Sequence, residues 1–233
     1  MQLQHKTAFI TGGSSGLGFE IAKLLLQKGM HVWICGRDIE QLRKQQQAVR
    51  SLNLHTVQCD VTQYSQIEQA ILQAGHIDLL INCAGVWIEA PLEQLDPDKI
   101  AQAVDINLKG VIFSTKAVIG QMKNNNSGTI VNVSSVLGIR TRANVNVYSA
   151  TKYGVQGFTE AMKAELEDTK VRVIGFYPGG MQTDLFKKAG NIKDTNGWID
   201  PKDMAEVLVF ALERPETMVM DHIVVDKTIK RTK

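Results

Sequence analysis

Cysteine, proline and aromatic residues are scarce in this sequence of 233 residues, which has three cysteines, five prolines and 6% aromatic residues. The cysteines Cys35, Cys59 and Cys83 are odd in number and evenly spaced, which excludes a small fold held together by disulfides. Each lies inside or at the end of an apolar run. This placement predicts buried thiols on strands, in a protein of the reducing cytoplasm.

Long hydrophobic runs are also absent. No stretch approaches the roughly 18 apolar residues of a membrane-spanning helix. The first residues reach turn glycines too soon to form the apolar region of a signal peptide. We therefore expect a cytoplasmic protein that does not associate with membranes.

An excess of charge of one sign is lacking as well. The chain has 26 Lys+Arg and 24 Asp+Glu, for a formal net charge of +2, and four of the basic residues lie in a tail at 227–233. We expect this tail to be solvated, and the overall balance excludes a general attraction to nucleic acid. The five histidines are scattered without the spacing of metal ligands, so no metal site is predicted.

Short apolar runs of strand length recur along the chain and alternate with segments of helical periodicity. The predicted strands are Thr7–Thr11, His31–Cys35, Leu54–Cys59, Leu79–Asn82, Thr129–Val133, Val171–Phe176 and His222–Val225. The predicted helices are Leu17–Gln27, Ile39–Leu52, Tyr64–Gln73, a long one from Asp96–Pro97, Val147–Glu167 and Asp203–Leu212, the last entered through Asp200–Pro201. This alternation predicts an α/β fold, a single Rossmann-type doubly wound domain of about seven parallel strands with helices on both faces.

The longest segment without periodicity is 184–199, which follows a predicted strand directly. Such a segment is either a poorly ordered excursion or a functional lid, and its position after a strand end favours a substrate lid. No linker or repeat interrupts the pattern. We therefore treat residues 1–233 as one dinucleotide-binding and catalytic domain.

A glycine-rich turn lies between the first strand and an amphipathic helix, and it reads TGGSSGLG from Thr11 to Gly18. Glycines allow a tight turn that brings backbone N–H groups and a helix N-terminus against a pyrophosphate. The spacing differs from G-x-G-x-x-G because three residues separate Gly12 from Gly16, and the lysine of a Walker A loop is missing. The strand before the turn and the helix after it favour a nucleotide site.

Tyr148 and Lys152 stand four residues apart, on one face of a predicted helix. Ser135 lies thirteen residues upstream of Tyr148, at the end of an apolar strand. A phenol has an ordinary pKa near 10, and a neighbouring ammonium stabilises its phenolate and lowers that pKa toward the working range. A positioned hydroxyl then holds the substrate oxygen. Hydride transfer to a carbonyl needs these groups beside a nicotinamide.

Further segments occur in a fixed order around these residues. They are Asn82-Cys83-Ala84-Gly85, Asn107 in Asn107-Leu-Lys-Gly110, Val131-Asn-Val-Ser-Ser135 and Pro178-Gly-Gly-Met-Gln-Thr183. Together with the T-G-x-x-x-G-x-G turn and the Tyr-Lys pair, they resemble the motifs of the short-chain dehydrogenase/reductase family over residues 7 to about 183. Cys83 stands where the family has a second Asn, and we expect this to change strand hydrogen bonding only modestly.

The resemblance implies a role for each residue of the catalytic group. Tyr148 would donate or accept the proton, Lys152 would lower the pKa of Tyr148 and hold the nicotinamide ribose, and Ser135 would position the carbonyl. Asn107 would link Lys152 to solvent through a water relay. The cofactor-binding residues are then expected to be Thr11, Gly12, Ser14, Gly16, Leu17, Gly18, Arg37, Asp60, Val61, Asn82, Gly85, Tyr148, Lys152, Pro178, Gly179 and Thr183.

The end of the second strand, where a ribose-binding acid is expected, reads Cys35-Gly-Arg-Asp38. Gly36 offers no carboxylate to repel a phosphate, and Arg37 can donate two hydrogen bonds to one. This favours NADP(H). The alternative is that Asp38 binds the ribose hydroxyls of NAD(H), but Asp38 directly precedes a predicted helix, where it suits the N-cap.

The substrate is expected to be a small or medium carbonyl compound or secondary alcohol, and reduction is the expected direction if NADPH is used. The candidate substrate contacts are Ser135, Leu137, Asn144, Tyr148 and Trp198. Asn144 precedes Tyr148 by four residues and is the first polar candidate. The resemblance also implies a homodimer or homotetramer, through the helix of Tyr148 and the long helix that begins near Asp96.

Two other functions remain open from the sequence. The first is a 3-oxoacyl-acyl-carrier-protein reductase, for which Arg140 and Arg142 could dock an acidic carrier. The second is a non-catalytic, dinucleotide-binding regulatory protein. A protein that only binds has no need for Ser135, Tyr148 and Lys152 together, so the sequence favours an enzyme.

Overall fold

The computed structural model describes residues 2–190, 194–215 and 217–227. Part of the predicted lid, 191–193, and the predicted tail from 228 onward lie outside the described residues. Within the described ranges, seven parallel strands form one sheet. They are β1 (Thr7–Thr11), β2 (His31–Gly36), β3 (Leu54–Gln58), β4 (Leu79–Asn82), β5 (Gly128–Val133), β6 (Val171–Pro178) and β7 (His222–Val225).

Helices connect the strands and cover both faces of the sheet. They are α1 (Gly16–Gln27), α2 (Ile39–Val49), α3 (Tyr64–Ala74), α4 (Pro97–Val104), α5 (Gly110–Asn124), α6 (Asn146–Glu165), α7 (Leu185–Lys188) and α8 (Pro201–Glu213). Asp96 and Asp200 cap α4 and α8, and each is followed by proline, as predicted. The sheet and its two helical layers confirm the predicted Rossmann-type fold.

Two helices differ from the sequence-based prediction by more than two residues at an end. Helix α2 ends at Val49, earlier than predicted, because Arg50 adopts the left-handed conformation with φ of 50°. The long helix from Asp96 is in fact two helices, α4 and α5, joined by a single π-helical turn at Asp105–Lys109. Such turns are rare and widen the helix locally, which changes the direction in which a side chain points.

The core consists of two apolar layers, one on each face of the sheet. Neighbouring strand residues alternate between them, so that Ile10 belongs to the layer under α1 and α8, whereas Phe9 belongs to the layer under α3, α5 and α6. Val131 and Ile130 on β5 divide in the same way. The strands are therefore buried on both faces, which explains their continuous apolar runs.

The strand order β3-β2-β1-β4-β5-β6-β7 determines where a ligand can bind. The chain moves outward in one direction from β1 to β3, then crosses back to place β4 on the other side of β1. At such a reversal, the loops after two neighbouring strands diverge and leave a crevice at the carboxyl edge of the sheet. The glycine-rich turn after β1 and the Cys83-containing segment after β4 meet at this crevice.

Candidate active site

A cavity of about 1260 Å³ opens over the carboxyl edge of the sheet. Ligand pockets for single small molecules are typically about 300–1,000 Å³, so this one has room for a dinucleotide and a second molecule. Most of the residues predicted from the sequence line it. They are Gly12, Ser14, Gly16, Leu17, Gly18, Arg37, Asp60, Val61, Gly85, Ser135, Leu137, Tyr148, Lys152, Pro178, Gly179, Thr183 and Trp198.

The glycine-rich turn has the geometry of an anion cradle. Gly12 has φ of 67°, and a Cβ on it would lie 2.7 Å from Cα of Ala84, so the turn and the segment after β4 approach as closely as glycine allows. Ser15 occupies the N-cap of α1, but its side chain makes no capping hydrogen bond. The first N–H groups of α1 are therefore left without a side-chain cap, and they suit the diphosphate of a dinucleotide.

The far end of the cavity lies beside β2. A Cβ on Gly36 would approach Oγ of Ser14 to 3.1 Å, so an acidic side chain at this position would meet the glycine-rich turn. Arg37 lines the cavity, and among the described residues no carboxylate forms an ion pair with it. Asp38 accepts a hydrogen bond at 3.0 Å from the N–H of Gln41 and caps α2, which is the role predicted for it.

Two residues predicted to touch the cofactor lie beneath the cavity instead. Oγ1 of Thr11 accepts hydrogen bonds from the N–H groups of Cys83 and Ala84 at 3.1 and 3.2 Å, so it joins β1 to the segment after β4. The amide of Asn82 is buried and donates to Thr115 and Asn132 at 3.1 and 2.9 Å. Because polar groups in a core need partners, both side chains turn inward and brace the loops that line the cavity.

Helix α6 brings Tyr148 and Lys152 to the cavity, and the turn after β5 brings Ser135. All three side chains are buried and line the cavity wall. Nζ of Lys152 donates to the carbonyl oxygen of Val133 at 3.0 Å. Oγ of Ser135 accepts from the N–H of Leu137 at 3.1 Å and lies close enough to hydrogen-bond Tyr148. The three groups predicted to act together thus occupy one site.

The ionisation of Tyr148 differs from the sequence-based expectation. Burial raises the pKa of Tyr148 to about 12, against the lowering effect of the hydrogen bond with Ser135. Nζ of Lys152 lies 5.9 Å from the centre of the Tyr148 ring, and the raising effect of burial prevails over the lowering expected from this ammonium, so the net shift is opposite to the expected one. Burial also lowers the pKa of Lys152 to about 8, because a desolvated ammonium is disfavoured. The phenol is therefore protonated at neutral pH.

Asn107 lies in the π-helical turn and is fully buried. Its Oδ1 accepts from the N–H of Val86 at 2.7 Å, while its Nδ2 donates to the carbonyl oxygen of Val86 and to Oγ1 of Thr151 at 3.0 and 3.2 Å. These contacts tie the segment after β4 to α6. The side-chain amide of Asn107 is therefore occupied by protein partners, and the water relay from Lys152 to solvent stays a prediction.

Cys83 lies close enough to Tyr148 and Lys152 to interact with both of them. The sequence analysis expected Cys83 to affect only strand hydrogen bonding. Burial raises the pKa of the Cys83 thiol to about 11, so that it stays protonated beside the lysine. Its backbone N–H donates a hydrogen bond to Oγ1 of Thr11. The substitution therefore changes the surroundings of the catalytic pair as well as the strand.

The substrate end of the cavity is formed by aromatic side chains. The ring centroid of Trp87 lies 4.5 Å from that of Tyr148, and Phe186 of α7 lies 4.8 Å from Trp87. Trp198 lies 5.4 Å from Phe186 and lines the cavity as predicted, as does Leu137. No sequence motif identified Phe186. Its role depends on how residues 184–190 and 194–199 pack against the cavity.

The prediction for Asn144 is wrong, because this residue does not line the cavity. It is exposed and has φ of 66°, which turns the chain into α6. Asn tolerates this left-handed conformation better than most residues, and that local requirement explains its presence.

The two arginines considered for carrier docking are both ion-paired at the rim of the cavity. Arg140 pairs with Asp226, and Nη1 of Arg142 lies 2.6 Å from Oε1 of Glu89. Each positive charge is therefore balanced by a carboxylate of the same chain. These two arginines therefore offer little unpaired positive charge to an acidic carrier protein.

Residues 2–190, 194–215 and 217–227 contain no group of three His, Cys, Asp or Glu side chains that could hold a metal ion. None of the helices in these ranges is long and apolar enough to cross a membrane.

Comparison with known proteins shows the family of this chain. The family model described as short chain dehydrogenase matches residues 6–193. An uncharacterized oxidoreductase of Staphylococcus saprophyticus is 32% identical, covering 97% of this chain and 98% of the relative.

Two solved structures have the same fold. One is a 3-ketoacyl-(acyl-carrier-protein) reductase from Brucella melitensis complexed with NADH, with a TM-score of 0.88 and 27% identity over 96% of this chain and 98% of the other. The second is the closed form of serine dehydrogenase complexed with NADP+, with a TM-score of 0.85 and 26% identity over 94% of each chain. The chain thus belongs to the short chain dehydrogenase family, whose members bind NAD(P)(H), and it is an oxidoreductase.

Proposed function

We propose that the protein reduces a small or medium carbonyl compound with NADPH, and that Tyr148 is the proton donor. The observation that carries this proposal is the convergence of Tyr148, Ser135 and Lys152, all buried, in the same cavity as the glycine-rich turn. Hydride transfer requires such an arrangement, because the proton and the hydride must reach adjacent atoms of one carbonyl group.

When bound, the reduced nicotinamide supplies the hydride that goes to the carbonyl carbon. Ser135 holds the carbonyl oxygen by a hydrogen bond, and the hydroxyl of Tyr148 gives its proton to the same oxygen, so that an alcohol forms. The phenolate left on Tyr148 is stabilised by the ammonium of Lys152. A tyrosine whose pKa lies near 12 is fully protonated at neutral pH, which suits a proton donor and hence the direction of reduction.

The preference for NADPH over NADH follows from the β2 end of the cavity. Arg37 is available to a phosphate, and Gly36 leaves the space beside Ser14 open. Asp38 is used as the cap of α2 rather than as a ribose ligand. A guanidinium with no carboxylate partner favours the 2′-phosphate that distinguishes NADP(H) from NAD(H).

The aromatic wall formed by Trp87, Phe186 and Trp198 selects the rest of the substrate. Aromatic faces bind apolar or flat groups by contact area and offer few hydrogen bonds to select polar ones. We expect ketones or aldehydes with an apolar body to be preferred over short, highly hydroxylated compounds.

The proposal is tested by fluorescence titration of NADPH and NADH with the parent protein, Arg37→Asp and Tyr148→Phe. The parent should bind NADPH more tightly, because Arg37 contacts the 2′-phosphate, and Arg37→Asp should reverse the preference. Loss of one charge-assisted contact and gain of repulsion should weaken NADPH binding by about 10- to 100-fold. A parent that prefers NADH would overturn the NADP(H) assignment.

The same proteins are then assayed for NADPH consumption with a panel of apolar ketones and aldehydes. Tyr148→Phe should keep its affinity for NADPH and lose activity by about 10²-fold or more, because a phenyl ring has no proton to give. A Tyr148→Phe protein that retained turnover would show that another group donates the proton.

A further inference from the structure

Helix α7 connects the two halves of the cavity. Phe186 on this short helix is buried against Trp87 and Trp198, on the substrate side. Two residues later, Nζ of Lys188 lies 3.0 Å from Oγ of Ser15, in the glycine-rich turn. Both side chains line the same cavity. One rigid helical turn thus touches the glycine-rich turn and the aromatic wall above Tyr148.

The surroundings of Lys188 favour a bound anion. Its ammonium lies against the N-terminus of α1, where the helix dipole places a partial positive charge. Among the described residues, no carboxylate lies within ion-pair distance of Lys188; Asp184, at the start of the same helix, lines the cavity but does not pair with it. The ammonium and the partial positive charge of the helix end therefore lie side by side at the cavity, and an anion bound there would stabilise both.

The residues just before α7 also lie close to the glycine-rich turn. A Cβ on Gly16 would lie 3.4 Å from Cγ2 of Thr183, which is ordinary contact distance. The segment that leads into α7 therefore packs directly on the first residue of α1. This packing places α7, and Lys188 with it, beside the glycine-rich turn.

We propose that Lys188 binds the diphosphate of the nicotinamide dinucleotide, and that this contact holds α7, with Phe186, closed over the catalytic group. The inference rests on the proposed use of a dinucleotide. None of the sequence motifs contains Lys188, because this residue lies in the aperiodic segment and reaches the glycine-rich turn only through the tertiary fold. The assignment makes Lys188 a positioning residue that couples cofactor binding to closure of the substrate pocket.

The test compares Lys188→Met with Lys187→Met, a matched control. Lys187 is the adjacent, exposed lysine of the same helix, and it does not line the cavity. The probe is ADP-ribose, which carries the diphosphate and lacks the nicotinamide, titrated by calorimetry beside NADPH. Lys188→Met should weaken both ligands by about tenfold, with the loss shrinking as salt is added, while Lys187→Met should change them by less than about twofold.

A second readout follows closure without any turnover. Trypsin can still cut after Lys187 in Lys188→Met, so protection of this bond by ADP-ribose reports whether the lid closes. We expect saturating ADP-ribose to protect Lys188→Arg, which keeps the charge, and to protect Lys188→Met much less.

The contrary results are distinct from one another. Unchanged ADP-ribose affinity in Lys188→Met, or an equal loss in both lysine variants, would overturn the role of Lys188 and leave the proposed reduction standing. A parent protein that binds neither ADP-ribose nor NADPH would overturn the proposed dinucleotide site, and the role of Lys188 with it.

Discussion

Burial acts in opposite directions on the two ionisable groups of α6 that face the cavity. It raises the pKa of Tyr148 to about 12 and lowers that of Lys152 to about 8, because in each case the charged form is removed from water. The neutral form of each group is therefore favoured. Between pH 6 and pH 7, Tyr148 holds its proton and Lys152 is still largely charged, which is the combination that proton donation needs.

The rate of reduction should depend on pH through the ionisation of Lys152. The kcat/KM for reduction should be high below pH 8 and fall as the pH rises through about 8, because Lys152 loses its charge and the phenolate of Tyr148 loses its stabilising partner. Initial rates of NADPH consumption between pH 6 and pH 10 measure this. Lys152→Arg is the control, since arginine keeps its charge, so its rate, though lower, should not fall near pH 8. A parent profile that stays flat to pH 10 would contradict the role given to Lys152.

Among the elements, the π-helical turn between α4 and α5 has the most direct effect on the site. It directs Asn107 inward, where the amide joins the segment after β4 to Thr151 of α6. The segment after β4 in turn carries Gly85 and Trp87 to the cavity. An unbroken helix would direct residue 107 differently, so the turn sets the distance between the cofactor side and the catalytic side of the cavity.

The stability of α2 distinguishes two roles for Asp38, that of N-cap and that of ribose ligand. If Asp38 acts only as the N-cap, Asp38→Ala should lower the free energy of unfolding by about 1 kcal/mol, and Asp38→Ser should keep most of the stability. Neither change should weaken NADPH or NADH binding appreciably. Thermal unfolding and fluorescence titration of both variants measure this. A marked loss of NADH affinity in Asp38→Ser would instead show that Asp38 contacts the ribose.

In the whole molecule, the carboxyl and amino ends of the parallel strands differ in function. The carboxyl edge carries the cavity, while the opposite edge carries a polar cluster around Asp78. Its carboxylate accepts hydrogen bonds from Nζ of Lys6 at 2.8 Å and from the N–H of Thr7 at 2.9 Å. Burial alone would raise the pKa of Asp78, but these hydrogen bonds and the charges of Lys6 and His76 outweigh it and lower that pKa below 3.8.

The stability of the fold in acid should depend on the ionisation of Asp78. Because the pKa of Asp78 is lowered in the folded protein, its ionised form stabilises the fold above pH 3.8, and this contribution is lost as the pH falls through the folded-state value. Asp78→Asn should therefore lower the free energy of unfolding by roughly 1.5–3 kcal/mol at pH 7, and by less at pH 3. Urea unfolding at both pH values measures the difference. The exposed Asp168→Asn is the control, and a loss for Asp78→Asn that did not depend on pH would contradict this account.

The predicted oligomer stays a prediction at the scale of the molecule. Val104, Ile112 and Tyr153, on α4, α5 and α6, are partly exposed, and these are the helices through which an oligomer was expected. Scattered apolar residues of this kind are compatible with a contact surface but are also common on monomers.

Several features of this protein are determined by the sequence alone, because they depend on residues close together in the chain. The alternation of strands and helices follows from local periodicity, the anion cradle from the glycines between β1 and α1, and the shared face of Tyr148 and Lys152 from a spacing of one helical turn. The caps at Asp38, Asp96 and Asp200 are equally local. These parts of the fold and site were predictable for that reason.

The rest was decided by the tertiary structure, because it depends on residues far apart in the chain. Only the folded sheet shows that Thr11 and Asn82 lie beneath the cavity and that Asn144 lies outside it. Only packing buries Tyr148 enough to raise its pKa, since desolvation depends on every element around the ring. The contact between Lys188 and Ser15 joins residues 173 positions apart, and no local pattern encodes such an approach.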